Sequence, residues 1–95
     1  MTIKKIPFKQ LDVQTLYDIL NIRLTVFVQE QDIKYVDTDY KDLHADHWLV
    51  YEGQKLVSYA RVFMPGVIYD VHAIGRVATF KEHRNKGYAT ALLKE

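Results

Sequence analysis

Two runs of β-forming residues, HWLVYE (His47–Glu52) and KLVSYARVF (Lys55–Phe63), flank Gly53-Gln54. A glycine-containing connection of two residues between Val-, Tyr- and aromatic-rich runs leaves the runs each other as partners, so an antiparallel hairpin is expected. Met64-Pro65-Gly66 ends the second strand. A third strand is expected within residues 68–80, where Gly75 marks either a bulge or a close backbone approach.

The hairpin needs helices to cover it, and two stretches have the period. Residues 12–29 carry Leu16, Ile19, Leu20, Leu24 and Phe27 on one helical stripe, with Asp12 as N-cap and no proline inside. From about Lys86, Ala89, Leu92 and Leu93 recur at helical spacing up to the last residue, Glu95. Between helix and hairpin, EQDIKYVDTDYKDLHAD (residues 30–46) has no sustained period and reads as a loop with at most a short helical turn. Trp48, Tyr51, Tyr59 and Phe63 alternate along the hairpin, as core packing or as the wall of an aromatic pocket.

Ninety-five residues that are 48% hydrophobic and 26% charged suffice for one modest core, so residues 1–95 are expected to form a single domain. A net charge of +1 argues against binding along a nucleic-acid backbone. The absence of cysteine excludes a disulfide framework and a thiolate metal site. MTIKKIPFKQL lacks the apolar stretch of a signal peptide, and no apolar run approaches the roughly 20 residues that span a bilayer. A cytoplasmic protein without membrane association is the expectation.

Candidate metal sites are poor. DTDYKD (residues 37–42) lacks the glycine and the distant glutamate of an EF-hand loop. His44 and His47 with Asp46 lack a third anchored ligand, so no metal is expected.

The segment with most chemical content is HRNKGYATALL (His83–Leu93), directly after the strand-like IGRVATF. A turn that leads into a helix start presents unpaired N–H groups, and the helix dipole adds about half a positive charge there. Gly87 admits an anion to the backbone, Ala89 nearly so, and Arg84 and Lys86 add formal charge. Taken alone, this pattern also fits an ordinary solvated surface turn.

Combined with the hairpin and the first helix, IGRVATFKEHRNKGYATALL resembles the GNAT superfamily of acyl-CoA-dependent N-acetyltransferases, whose signature is Q/R-x-x-G-x-G/A. A second block, IRLTVFVQEQDIKYVDTDYKDLHADHWLVY, is similar to the ElaA-like branch, in which an arginine precedes VFVxEQ, followed by a tyrosine, aspartates and a strand beginning near a histidine. The resemblance implies an α+β layered fold with a mixed, mostly antiparallel sheet flanked by helices. It covers the N-terminal portion of that fold, since GNAT domains continue past the signature helix with a further strand, a helix and a final hairpin.

The resemblance also implies that Arg84, Asn85, Lys86, Gly87, Tyr88 and Ala89 wrap the pyrophosphate of acetyl-CoA. Backbone groups of Val77, Ala78 and Thr79 would pair with the pantetheine arm like an added strand. The implied reaction is direct attack of a primary amine on the thioester, and the amine must lose a proton to a base. Glu30 is the candidate proton acceptor. Six acids against two lysines in residues 30–46 would favour a cationic acceptor, or else form a solvated loop that caps its own backbone. Gln31, Arg23 and Arg76 are candidate acceptor-site residues, but Arg23 is read first as a structural bridge to Glu30 or a later aspartate, and Arg76 as either an acceptor-site residue or a salt-bridge partner. No residue can be assigned as general acid. The alternative is an acyl-CoA-binding or interaction module without turnover. A strand edge left open by the missing neighbour would favour a homodimer or strand-exchanged oligomer.

Overall fold

The computed structural model describes residues 1–94. Its centre is one four-stranded antiparallel sheet in the order β1-β2-β3-β4: β1 Thr2–Pro7, β2 Asp46–Glu52, β3 Lys55–Phe63 and β4 Ala73–Thr79. The hairpin forms as expected, with Glu52 opposite Lys55 and Gly53 at φ +61° in the turn. β1 has little sequence signal, because Thr2-Ile-Lys-Lys-Ile-Pro7 spaces its two isoleucines by three and breaks strict alternation. Pairing with β2 brings Ile3 opposite Val50 and Ile6 opposite His47, and this contact makes the segment a strand.

Helices cover both faces. α1, Val13–Arg23, starts at Asp12, whose carboxylate accepts the Thr15 N–H at 2.7 Å. That bond holds the Asp12 carboxyl below its ordinary pKa. Ile19, Ile22 and Val26 pack with Leu49, Leu56, Tyr59 and Ala78 on one face. On the other, Leu92 of α2 (Tyr88–Lys94) closes over Val50, Val57 and Ala60. β3 therefore lies between two helical layers and is buried from Leu56 to Phe63. Trp48 packs with the α2 cluster and Tyr51 with the α1 cluster, so the hairpin aromatics do not form one wall.

The helix expected over 12–29 differs in two respects. Leu24, 47% exposed, leaves the apolar seam, and Arg23, 0% exposed, enters it. After Arg23 the chain continues as a π-helical segment, Leu24–Glu30. One π turn brings residues five apart onto the same face, which places Val26 and Gln31 along one groove. In β4 the pairing passes from Ala78 opposite Tyr59 to Gly75 opposite Arg61, so Arg76 and Val77 together oppose Ala60. The bulge falls just after Gly75, and Arg76 carries the left-handed φ of +50°.

Candidate functional site

β4 is the last strand of the sheet and its outer edge has no partner among the described residues. It runs through Phe80 and a short 3₁₀ turn, Lys81–His83, into the glycine turn. There Asn85 and Gly87 both adopt left-handed conformations, at φ +64° and +80°. The first bond of α2 then forms between the Gly87 carbonyl and the Ala91 N–H at 2.9 Å. The N–H groups ahead of Ala91 in this helix have no intrahelical acceptor. A Cβ at Gly87 would meet no protein atom within 4 Å, so within the chain it is φ that restricts this position.

Strand, turn and π segment bound a groove of about 460 Å³. Of the residues singled out by sequence, Gln31, Val77, Thr79, Arg84, Asn85, Gly87, Tyr88 and Ala89 all line it. The Ala78 side chain points into the α1 core, while its carbonyl accepts a hydrogen bond from Ser58 Oγ at 3.2 Å. Lys86 is exposed on the turn and does not line the groove. Val26, Phe27, His83 and Thr90 line it as well and were not indicated by sequence. The first two come from the π segment, where the VFVxEQ pattern covers residues 26–31 but does not disclose the π turn. His83 lies just ahead of the signature, with its ring 6.2 Å from that of Tyr88 and a buried Nδ1 that has no partner. A larger cleft of about 830 Å³ lies elsewhere, between α1 and the hairpin turn.

Glu30 and Arg84 meet. Arg84 Nη2 lies 2.7 Å and 2.9 Å from the two carboxylate oxygens of Glu30, and Arg84 Nε donates to the Thr79 carbonyl at 3.0 Å. The residue expected to take the amine proton thus lies against the turn expected to hold phosphate.

The remaining candidates belong to a closed ring of alternating charge. Arg23 pairs with Asp42 at 2.7 Å, Asp42 with Arg61 at 2.9 Å and Arg61 with Asp39 at 2.9 Å. Asp39 pairs with Arg76 at 3.4 Å, Arg76 with Asp37 at 3.1 Å, and Asp37 with Arg23 at 2.7 Å. The Asp37 carbonyl accepts from both Arg23 and Arg76 at 3.1 Å, and Tyr35 donates its hydroxyl to the Asp37 carboxylate at 3.1 Å. Burial opposes the charge on Arg23, and the Asp42 hydrogen bond with the nearby carboxylates overrides it, raising the pKa. Asp39 is likewise held below its ordinary value, because the Arg61 and Lys41 hydrogen bonds outweigh its burial.

Arg23 therefore sits as a structural bridge, fully buried between Asp37 and Asp42, and its side chain does not line the groove. Arg76 is partly exposed and is held to the same loop. The expectation of an acidic, cation-attracting loop is also reduced: Asp37, Asp39 and Asp42 each face guanidinium groups, and Glu30 faces Arg84. Arg61, which completes the ring, was not indicated by any motif. Beneath it, His47 Nε2 faces the Asp42 carbonyl at 3.0 Å and Nδ1 faces the Tyr59 hydroxyl at 2.7 Å. Since a carbonyl only accepts, Nε2 carries the proton and Tyr59 donates to Nδ1. Burial pushes the His47 pKa down and the Tyr59 pKa up. No group of three or more His, Cys, Asp or Glu among the described residues could hold a metal ion, and no described helix is long and apolar enough to cross a membrane.

This arrangement of sheet edge, bulge and glycine turn has counterparts. A model for the acetyltransferase (GNAT) family matches residues 13–95. A UPF0039 protein of Schizosaccharomyces pombe is 40% identical over 87 residues, covering 90% of this chain and 57% of that protein. Protein ElaA of Escherichia coli is 34% identical over 88 residues, covering 90% of this chain and 58% of ElaA. The crystal structure of Escherichia coli ElaA superposes with a TM-score of 0.90 at 30% identity, over 98% of this chain and 64% of that one. An acyl-CoA N-acyltransferase from Pseudomonas aeruginosa gives 0.91 at 27% identity, over 98% and 65%. The chain thus spans somewhat over half the length of the curated relatives it matches. Together with the four-stranded antiparallel sheet and its two helical layers, these likenesses place the chain in the GNAT acetyltransferase family, on its ElaA-like branch.

Proposed function

We propose that this chain carries the donor-binding portion of an acyl-CoA-dependent N-acetyltransferase, which moves an acetyl group from acetyl-CoA to a primary amine by direct attack. The observation that carries the reading is the continuity of one groove along the open β4 edge and into the glycine turn. An extended amide-containing arm such as pantetheine can add to a strand edge through backbone hydrogen bonds, while side chains contribute little. At the end of that edge, the turn offers N–H groups, Arg84 and Lys86 to a pyrophosphate.

Catalysis in this reading depends on positioning the amine against the thioester and on a backbone N–H at the bulged strand that polarises the carbonyl. The amine's proton acceptor is not assigned to Glu30, because its carboxylate lies at the donor end of the groove against Arg84. That same contact favours a second reading, an acyl-CoA-binding module without turnover. Thiol release from acetyl-CoA with a panel of primary amines and polyamines separates the two.

The test of donor binding is substitution in the turn. A β-branched residue is strongly disfavoured at φ +80°, so Gly87→Val should abolish CoA binding measured by calorimetry. Arg84→Ala should weaken it less, since the oriented N–H groups remain, and the loss should shrink as salt screens the charge. Pantetheine, which lacks the phosphates, should respond little to either change. A Gly87→Val protein that is folded by circular dichroism and binds CoA like the wild type removes the phosphate-turn reading.

A further inference from the structure

We infer that Glu30 is a resident counter-anion of the donor site, whose carboxylate engages Arg84 in the free protein so that a donor phosphate must compete with it. The inference rests on the acyl-CoA reading of the groove and deepens it. Two residues 54 apart in the chain meet here. The carboxylate places both oxygens on a single nitrogen, Nη2, and Nε is taken by the Thr79 carbonyl. The charge of Arg84 is thereby matched by a carboxylate before any ligand arrives, and of the cations in the turn from Arg84 to Ala89 only Lys86 has no carboxylate partner among the described residues. The contact is partly exposed, with side chains 39% and 29% accessible, so an incoming anion can reach it.

A phosphate that replaces the carboxylate on Arg84 gains one charge-assisted contact while the protein gives one up, and Glu30 is left beside a like charge. Glu30 accordingly sets donor affinity downward and sharpens its dependence on the ligand's charge. A purely structural tie between π segment and turn makes the opposite prediction, because loosening the tie would lower affinity or leave it unchanged.

The test is calorimetric titration of wild type, Glu30→Gln, Arg84→Ala and the double variant with two probes, CoA and inorganic pyrophosphate. For one charge removed at contact-scale distance in a solvated site, Glu30→Gln should bind both probes about three- to tenfold tighter. The gain should shrink in the Arg84→Ala background, where only the repulsion between Glu30 and the phosphate remains, and fade as salt is raised. Glu82→Gln is the control for bulk charge, since Glu82 lines the other cleft. Equal or weaker binding by folded Glu30→Gln overturns the inference, and so does an equal gain from Glu82→Gln. If pyrophosphate binds with the expected gain and CoA does not bind, the competition stands and the acyl-CoA reading falls. If wild type and Glu30→Gln bind neither probe, both fall.

Discussion

Arg23 occupies a place in the α1 seam where the periodicity calls for an aliphatic side chain, and its charge is tolerated only because Asp37 and Asp42 reach it. A buried pair of this kind adds little net stability relative to a hydrophobic replacement, but half of it is expensive. Asp42→Ala, which leaves both Arg23 and Arg61 short of a partner, should cost about 3–5 kcal/mol in urea unfolding. The double change Arg23→Met with Asp42→Leu should cost much less. His47 adds a pH dependence whose sign follows from its depressed pKa. The unfolded imidazole takes a proton near pH 6.5 and the buried one resists it, so the unfolded state binds more protons below that pH. Stability is therefore full above about pH 6.5 and falls as the pH is lowered through and below it. Asp39, also depressed, adds a further loss at more acid pH, below its unfolded value near 3.9. Urea midpoints measured from pH 7.5 down to 5 should fall, and a His47→Gln protein should show a flatter profile over that range.

At the level of elements, the segment between the π-helical turn and β2 has little regular structure beyond one short 3₁₀ turn, Lys41–His44. Its path is set by arginines from three different elements, Arg23 of α1, Arg61 of β3 and Arg76 of β4. Arg76→Ala removes one of these and should raise amide exchange in residues 33–40 more than tenfold, while the β2–β3 pairing keeps its protection. Uniform protection in that loop would mean that backbone geometry holds it without the ring. The positive φ of Arg76 fits this view: the bulge is a strained conformation retained where the guanidinium reaches Asp37 and Asp39.

Taken whole, the described chain has a radius of gyration of 12.8 Å, close to the roughly 12 Å expected for a compact chain of this length. Its β4 edge remains unpaired among the described residues, with Ile74 49% and Val77 37% exposed along it. Open edges of this kind recruit strands. Concentration-dependent self-association of the 95-residue chain through β4 is expected, suppressed by Val77→Lys and by saturating CoA if the donor lies along the same edge. Light scattering that reports a monomer at every concentration would sink this expectation.

The hairpin, a helix beginning after Asp12 and the strand–turn–helix at the end were legible in the sequence because each is encoded by neighbours in the chain. Asp12 caps the helix that begins beside it, Gly53 permits its own turn, and Gly87 with Asn85 shapes a turn whose conformation is local. The resemblance to known proteins rested on the last of these blocks and on residues 22–51, which include the loop before the hairpin. Other features required the tertiary structure. β1 is a strand only because β2 lies beside it, and the bulge appears one residue beyond Gly75 because its register is counted against β3. The six charges of the ring come from α1, the loop, β3 and β4, and no spacing in the sequence relates Arg61 to Asp39 or Arg76 to Asp37. Glu30, read from sequence as a base for the acceptor, meets Arg84 through a π turn whose geometry the VFVxEQ pattern does not encode. Charge partners are chosen by proximity and burial, which depend on the packed chain, whereas caps and turns are chosen by dihedral angles that each residue contributes itself.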